Sequence, residues 1–237
     1  MQMEPLNFVT DSTVVVGKFL LNISPDSITD ALVTLQPPNH PNLIMDYPIL
    51  EAHNFIYDAP TKTTISSFVS KNILGDYSAL QGGLVFTSKM TDSLAYTHEF
   101  YLMNYTDSSQ TASLISLNPP PKGWNYALWA IDSAFTPHQN FLYGLFSSGS
   151  GHDSDSVNDY YPFPGGWKQQ QMNIGSGSII VTLEPQFYGD SLKFKSPSPF
   201  TLLSFNRIHL IEKNKNYPMV NVSAQGIPNG EIIFYKY

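Results

Sequence analysis

Strand-forming runs separated by turn residues are the feature that most restricts what this chain can fold into. Runs rich in β-branched and aromatic residues return roughly every 10–15 residues along the sequence. Eighteen prolines punctuate them, and proline keeps strands short and protects sheet edges because it lacks a backbone donor. The predicted strands are Thr13–Ile23, Ala31–Leu35, Ile49–Tyr57, Thr63–Ser70, Gly83–Ser88, Ser93–Met103, Ser113–Leu117, Tyr126–Ile131, Asn140–Phe146, Ser178–Leu183, Phe200–Phe205, Ile208–Glu212, Met219–Ser223 and Glu231–Tyr235.

Helical periodicity is nearly absent from the sequence. Only Ile28–Ala31, Asp76–Leu80 and Thr10–Thr13 could hold a short helical turn. Many short strands without intervening helices predict an all-β fold, either a β-sandwich or a jelly roll.

Residues 20–38 and 102–120 carry the same pattern 82 positions apart. Eight of the nineteen aligned residues are identical, and both copies end in a Leu-x-Pro-Pro sequence. A looser echo follows, since His53-Asn54-Phe55-Ile56-Tyr57 resembles the segment His138–Tyr143. This self-similarity predicts an internal duplication of a β-rich unit, in which His53 and His138 have a structural or turn role.

The duplication suggests a division of the chain into three segments. Residues 1–82 form the first β-rich unit, residues 83–168 form the second, and residues 169–237 add strands that complete the sandwich. The three segments are either separate units or parts of one domain.

The chain has few charges and many aromatic rings. Charged residues are 13 % and aromatic residues 14 %, and the formal net charge is −7. Its surface must then consist largely of Ser, Thr, Asn, Gln and Tyr, so copies that meet repel each other little. This composition favours a structural or self-assembling protein. A negative chain without a basic cluster is not expected to bind nucleic acid.

Cysteine is absent, which excludes disulfides and thiolate metal sites. The first residues show no basic segment followed by an apolar core, so no signal peptide is expected. Since no apolar run approaches the roughly 18–20 residues of a membrane helix, no membrane span is expected either. The localisation stays open between a cytoplasmic assembly, such as an inclusion or a virion, and non-classical export.

An acidic segment, residues 147–159, is the strongest candidate for a metal site. Carboxylates at alternate positions can converge on a calcium ion. The spacing does not fit an EF-hand, because Asn158 and Pro164 occupy the positions that need Gly and Glu. The alternatives are an irregular calcium site, a binding loop without metal, and an ordinary solvated loop. The candidate calcium ligands are Asp153, Asp155 and Asp159, with His152 beside them.

Aromatic residues next to amides and carboxylates are the strongest candidates for a glycan site. Sugar rings stack on aromatic faces while polar side chains bind the hydroxyl groups. Trp129 is instead expected in the core, because its run is apolar on both faces. The candidate ligand-binding residues are Trp124, Asn125, Tyr126, His152, Tyr160, Tyr161 and Trp167.

Catalytic motifs are not apparent in the sequence. There is no Gly-x-Ser-x-Gly elbow, the histidines lack metal-ligand spacing, and no pair of carboxylates is singled out for glycoside hydrolysis. We therefore expect a non-catalytic structural or self-assembling protein, such as a coat, inclusion-crystal or surface-layer subunit, with no cofactor. The alternative is a lectin-like carbohydrate-binding protein, with or without calcium, and the third is a glycan-acting hydrolase.

Overall fold

A computed structural model describes residues 28–34, 47–86, 96–97, 100–103, 114–132, 138–149, 172–173, 177–186, 196–206, 212 and 214–235. Strands make up 55 % of the described residues and helix 5 %. The all-β prediction is therefore confirmed. Both helices are four residues long, and in the described part of the chain no helix has the length and hydropathy needed to cross a membrane.

Most strands overlap with predicted runs, whereas Met172–Asn173, Asn216–Pro218 and both short helices are not predicted. The elements are β1 (Ala31–Thr34), β2 (Pro48–Ala52), β3 (Ile56–Asp58), β4 (Thr63–Phe68), α1 (Lys71–Leu74), β5 (Gly83–Phe86), β6 (Tyr96–Thr97), β7 (Phe100–Met103), β8 (Trp124–Asp132), β9 (Gln139–Phe146), β10 (Met172–Asn173), β11 (Ser178–Pro185), β12 (Thr201–Asn206), β13 (Asn216–Pro218), β14 (Val220–Asn221), α2 (Ser223–Gly226) and β15 (Gly230–Tyr235).

These strands form five antiparallel sheets among the described residues. The largest has the order β14-β12-β11-β8-β9, and two three-stranded sheets have the orders β13-β5-β7 and β15-β4-β3. Two short pairs, β1-β2 and β10-β6, complete the set. The strands of the two three-stranded sheets come from distant parts of the chain, so non-local pairing holds the fold together.

Aromatic rings fill the space between the five-stranded sheet and the β13-β5-β7 sheet. The ring of Phe86 on β5 has its centroid 5.7 Å from Phe100, 5.9 Å from Phe205 and 5.8 Å from Tyr217. Phe100 also contacts Tyr143 on β9, at 4.3 Å between centroids. Tilted and edge-on ring pairs at these distances stabilise a core beyond the burial of their area.

Strand β8 is buried on both of its faces. Tyr126 and Leu128 belong to the main core, whereas Ala127 and Trp129 belong to a smaller apolar cluster on the opposite face. Strand side chains alternate between faces, and all four are completely buried. The expectation that Trp129 lies in the core is confirmed.

The predicted strand Ile49–Tyr57 is interrupted in the structure. β2 ends at Ala52 and β3 begins at Ile56. Between them Asn54 has a φ of 54°, in the left-handed region that Asn tolerates better than most residues. One such residue breaks the two-residue alternation, so the chain leaves the β1–β2 pair and joins the edge of β4.

Two shorter predictions are wrong. In the described part of Ser113–Leu117, Ile115 makes one isolated bridge with Gln81 and Ser116 has a φ of 60°, so no strand forms. Ile28–Ala31 is not a helical turn, because its last residue already begins β1 and pairs with β2.

The predicted segments 1–82, 83–168 and 169–237 share sheets. β4 of the first segment pairs with β15 of the third, and β8 of the second pairs with β11 of the third. One hydrophobic core also draws on all three. The boundaries stay predictions.

The predicted duplication can be compared at only three aligned pairs of described residues. Residues 32–34 lie in β1, whereas residues 114–116 form a bridge and a turn. The duplication therefore stays a prediction.

We expect Phe86→Ala to lower the free energy of unfolding by about 3–5 kcal/mol, because it empties the centre of the aromatic core. Phe86→Leu retains much of the volume and should cost less. Val220→Ala, at a position 65 % exposed on β14, should change the stability by less than about 0.5 kcal/mol. Urea denaturation measures all three, and equal effects of Phe86→Ala and Val220→Ala would contradict this placement.

Candidate functional site

The sequence-predicted ligand residues divide into two groups. Trp124, Asn125 and Tyr126 begin β8 and are described by the structure. The rest of the predicted set lies outside the described residues, so glycan binding and calcium binding by them stay predictions. That second group is His152, Tyr160, Tyr161 and Trp167, with the candidate calcium ligands Asp153, Asp155 and Asp159.

Trp124 is 2 % exposed and Tyr126 is completely buried. The indole of Trp124 packs edge-on against Tyr47 and Phe200, with centroids 6.3 Å and 5.5 Å away. The hydroxyl of Tyr126 donates to the carbonyl oxygen of Asn118 at 2.8 Å. Protein atoms therefore cover both rings, which leaves neither one open for a sugar to stack on in this conformation.

A buried carboxylate lies opposite Asn125 in the β8–β11 register, at Glu184. Its Oε1 accepts hydrogen bonds from Nε1 of Trp129 at 3.1 Å, Oγ1 of Thr182 at 2.5 Å and the backbone N–H of Ser198 at 2.9 Å. Burial raises the pKa of this carboxyl, and the hydrogen bonds oppose that shift. Glu184 thus organises polar groups inside the sheet, a role that its strand position alone does not reveal.

An open cavity of about 520 Å³ lies on the surface of the β3–β4 pair. Asn54, which has a φ of 54° between β2 and β3, is part of its lining. Its lining mixes apolar and polar side chains, namely His53, Asn54, Ile56, Asp58, Ile65, Ser66, Ser67 and Val69.

Three isoleucines stand in register across this small sheet. Ile56 of β3 and Ile233 of β15 both pair with Ile65 of β4, and directly opposed residues share one face of a sheet. Ile56 is 71 % exposed and Ile233 is 37 % exposed. We call the surface formed by Ile56, Ile65, Ser67, Val69 and Ile233 the isoleucine face.

His53 lies at the rim of this cavity and bridges two carboxylates. Its Nδ1 is 2.5 Å from Oδ1 of Asp30, and its Nε2 is 3.1 Å from Oε2 of Glu51. The hydrogen bond to Asp30, followed by that to Glu51, raises the pKa of His53. Hydrogen bonds from Thr29 and then His53 lower the pKa of Asp30.

The position of His53 is fixed by its backbone as well as by its ring. Its carbonyl oxygen accepts a hydrogen bond from the hydroxyl of Ser66 on β4. Glu51 is tied to the same strand, because its backbone exchanges two hydrogen bonds with Val69, at 2.9 Å and 2.8 Å. The ionic groups and the isoleucine face are therefore parts of one surface.

The carboxylates around His53 are not arranged as a metal site. The two carboxylates contact opposite nitrogens of one imidazole ring, so the three groups do not converge on a common point. Among the described residues, no group of three His, Asp or Glu side chains is placed to hold a metal ion. Comparison with protein-family models, curated proteins and solved structures found no match to this chain.

The sequence predicts a structural or turn role for His53, and it does not predict the isoleucine face. The sequence signal for a break in this strand is the short run from His53 to Ile56. It contains an Asn, which tolerates a left-handed φ, directly before apolar residues. Because Asp30 directly precedes β1 and Glu51 lies on β2, their meeting at one imidazole depends on the β1–β2 register.

We expect Glu184→Gln to become more stable relative to the native chain as the pH rises above the ordinary carboxyl pKa of 4.5. Burial raises the folded pKa of Glu184, so the folded state holds its proton longer than the unfolded state. Stability is therefore lost as the pH rises through that folded pKa. Gln cannot ionise and escapes this loss.

Urea midpoints of both proteins across the acid-to-neutral range measure the difference. Glu184→Ala is the matched control. It leaves the donors of Trp129 and Ser198 without this acceptor and should be less stable than Glu184→Gln by about 1–3 kcal/mol at every pH, because neither variant can ionise at this position. A difference between Glu184→Gln and the native chain that does not change with pH would show that Glu184 titrates normally.

Proposed function

We propose that this chain is a non-catalytic structural protein that self-associates through the isoleucine face. A coat, inclusion-crystal or surface-layer subunit fits this description. The observation that carries the proposal is the row of Ile56, Ile65 and Ile233, two of which are exposed on an ordered sheet. Contiguous exposed apolar surface on a folded protein is characteristic of an interaction site.

The exposed apolar side chains are concentrated in one part of the structure. Among the described residues, the large hydrophobic side chains that are exposed are Leu32, Ile56, Tyr57, Val69, Val220 and Ile233. All except Val220 lie on β1, β3 or β15 or directly after β4. Ile56, Val69 and Ile233 belong to the isoleucine face, whereas Tyr57 projects from the opposite face of β3 and Leu32 lies in the β1–β2 pair. The three that share one face support binding, since isolated exposed apolar residues are ordinary.

A second copy of this chain is the partner we propose. A flat sheet face can pair with itself about a twofold axis, so that the same side chains serve both partners. The low charged fraction of 13 % reduces repulsion between copies of a chain whose net charge is −7. Ser67 is neutral, whereas Glu231 opposite Ser67 and Asp58 opposite Thr63 lie on the same face and place negative charge at the ends of the isoleucine row.

We also propose that the five-stranded sheet and the β13-β5-β7 sheet are the two layers of a β-sandwich or jelly roll. The contacts of Phe86 with Phe205 and of Phe100 with Tyr143 across them support this arrangement. The internal duplication is proposed on the repeated sequence of residues 20–38 and 102–120. A two-layer core would leave the β15-β4-β3 sheet free to present its apolar face.

We expect the native chain to gain mass with concentration above the 26.5 kDa of one copy, measured by light scattering behind a sizing column. Ile56→Lys should weaken this association because a lysine buried in the contact would lose its hydration. Ile233→Lys should act in the same direction, and more weakly, since that side chain is less exposed.

Val220→Lys is the matched control for both variants. Val220 is 65 % exposed, close to the exposure of Ile56, but it lies on β14 at the edge of a different sheet. It should leave the association unchanged. A native chain that stays at one copy at every concentration, or an equal effect of Val220→Lys, would refute the proposed surface.

A further inference from the structure

We propose that His53, bridged to Asp30 and Glu51, makes self-association through the isoleucine face depend on pH. The association is strong where the imidazole is protonated and weak where it is neutral. This inference rests on the proposed function and adds its regulation. It starts from the position of His53 at the rim of the cavity that Ile56 and Ile65 line.

Protonation decides how many of the two contacts His53 can make. An imidazolium has two N–H donors, whereas a neutral imidazole has one. With Asp30 at 2.5 Å from one nitrogen and Glu51 at 3.1 Å from the other, both ring nitrogens face acceptors. Only the cation can donate to both carboxylates, so loss of the proton must break one of these bonds.

Loss of the proton also changes the charge of the surface. With the imidazole protonated, His53 and its two carboxylates carry one net negative charge, and with it neutral they carry two. In a twofold contact each copy contributes this group, so the interface contains it twice. The neutral state of His53 therefore increases repulsion where the two apolar faces must meet.

The other ionisable groups around His53 do not provide the same control. β4 consists of uncharged residues, and Lys62 lies in the β3–β4 turn at the opposite end of those strands from His53. α1 contacts β2 and begins with a lysine. The neighbouring ionisable residues are Asp30 before β1, Glu51 on β2, Asp58 at the end of β3, Lys62 in the turn, Lys71 at the start of α1 and Glu231 on β15.

Among these residues, histidine is the type whose charge ordinarily changes near neutral pH. The two hydrogen bonds raise the pKa of His53 from its ordinary 6.5. The imidazole therefore stays protonated to a higher pH than an ordinary histidine does. Its stabilising contacts are complete below pH 6.5 and are lost as the pH rises through the folded pKa.

The test measures the association constant of the full chain by sedimentation equilibrium from about pH 5 to about pH 9. We expect the constant to fall with rising pH through the folded pKa of His53. Each histidine that takes up a proton on association can change the constant by up to about tenfold per pH unit. His53→Gln should remove this dependence and leave weak association at every pH.

His138→Gln is the matched control, because His138 is exposed before β9 in another sheet. It should retain the native pH dependence. Glu51→Gln provides a second readout that keeps the histidine. With one carboxylate removed the cation is less favoured, so the midpoint of the pH dependence should move to lower pH.

The outcomes separate this inference from the proposed function. A native chain that does not associate at any pH would refute the proposed function. A chain that associates equally at all pH values would leave the function standing and refute the control by His53. Retention of the native dependence by His53→Gln, or an unmoved midpoint in Glu51→Gln, would also refute it.

Discussion

The packing of aromatic rings between the five-stranded sheet and the β13-β5-β7 sheet is the interaction on which the rest of the structure depends. Phe86 contacts rings from β7, β12 and β13 at once, so strands far apart in the chain become neighbours through one side chain. Protein interiors are packed densely, and the rings that fill them are not available for other contacts. Trp124 and Tyr126, at the start of β8, are buried in the same core. The sequence predicts that these two rings bind a ligand. The sequence alone therefore does not decide whether an aromatic residue next to an amide binds a ligand or packs in the core, because its packing partners are far away along the chain.

The positions of most strands could be predicted, because β-branched and aromatic runs between turn residues are a local signal. Ser178–Leu183 and Asn140–Phe146 correspond closely to β11 and β9. The break in Ile49–Tyr57 could not be read from periodicity, since it depends on one backbone angle at Asn54. The candidate site depends on that break and on strand pairing. The burial of Trp124 could not be predicted for a related reason, because its partners Tyr47 and Phe200 are far from it in sequence.

Two carboxylates in this structure show how environment decides the role of one chemical group. Glu184 is inside the sheet, where burial raises its pKa and its three donors are all fixed protein groups. Asp30 is at the surface, where hydrogen bonds lower its pKa and its partner His53 can gain or lose a proton. Glu184 therefore holds side chains of β8 and β11 in place by accepting their hydrogen bonds. Asp30 and Glu51 belong to a group whose charge responds to the solvent, beside an apolar surface.

The magnitude of apolar burial explains why a small change of charge matters at this surface. Complete burial of an isoleucine stabilises by about 1.5–3 kcal/mol, and Ile65 and Ile233 are already partly covered within one copy. Association of two proteins costs about 4–15 kcal/mol in lost freedom of motion before any contact is gained. The isoleucine face alone therefore gives only a weak contact, and a useful one requires either additional surface or many repeated contacts in an assembly. Weak contacts of this kind are the ones that one additional charge on each copy can switch between the free and the associated state.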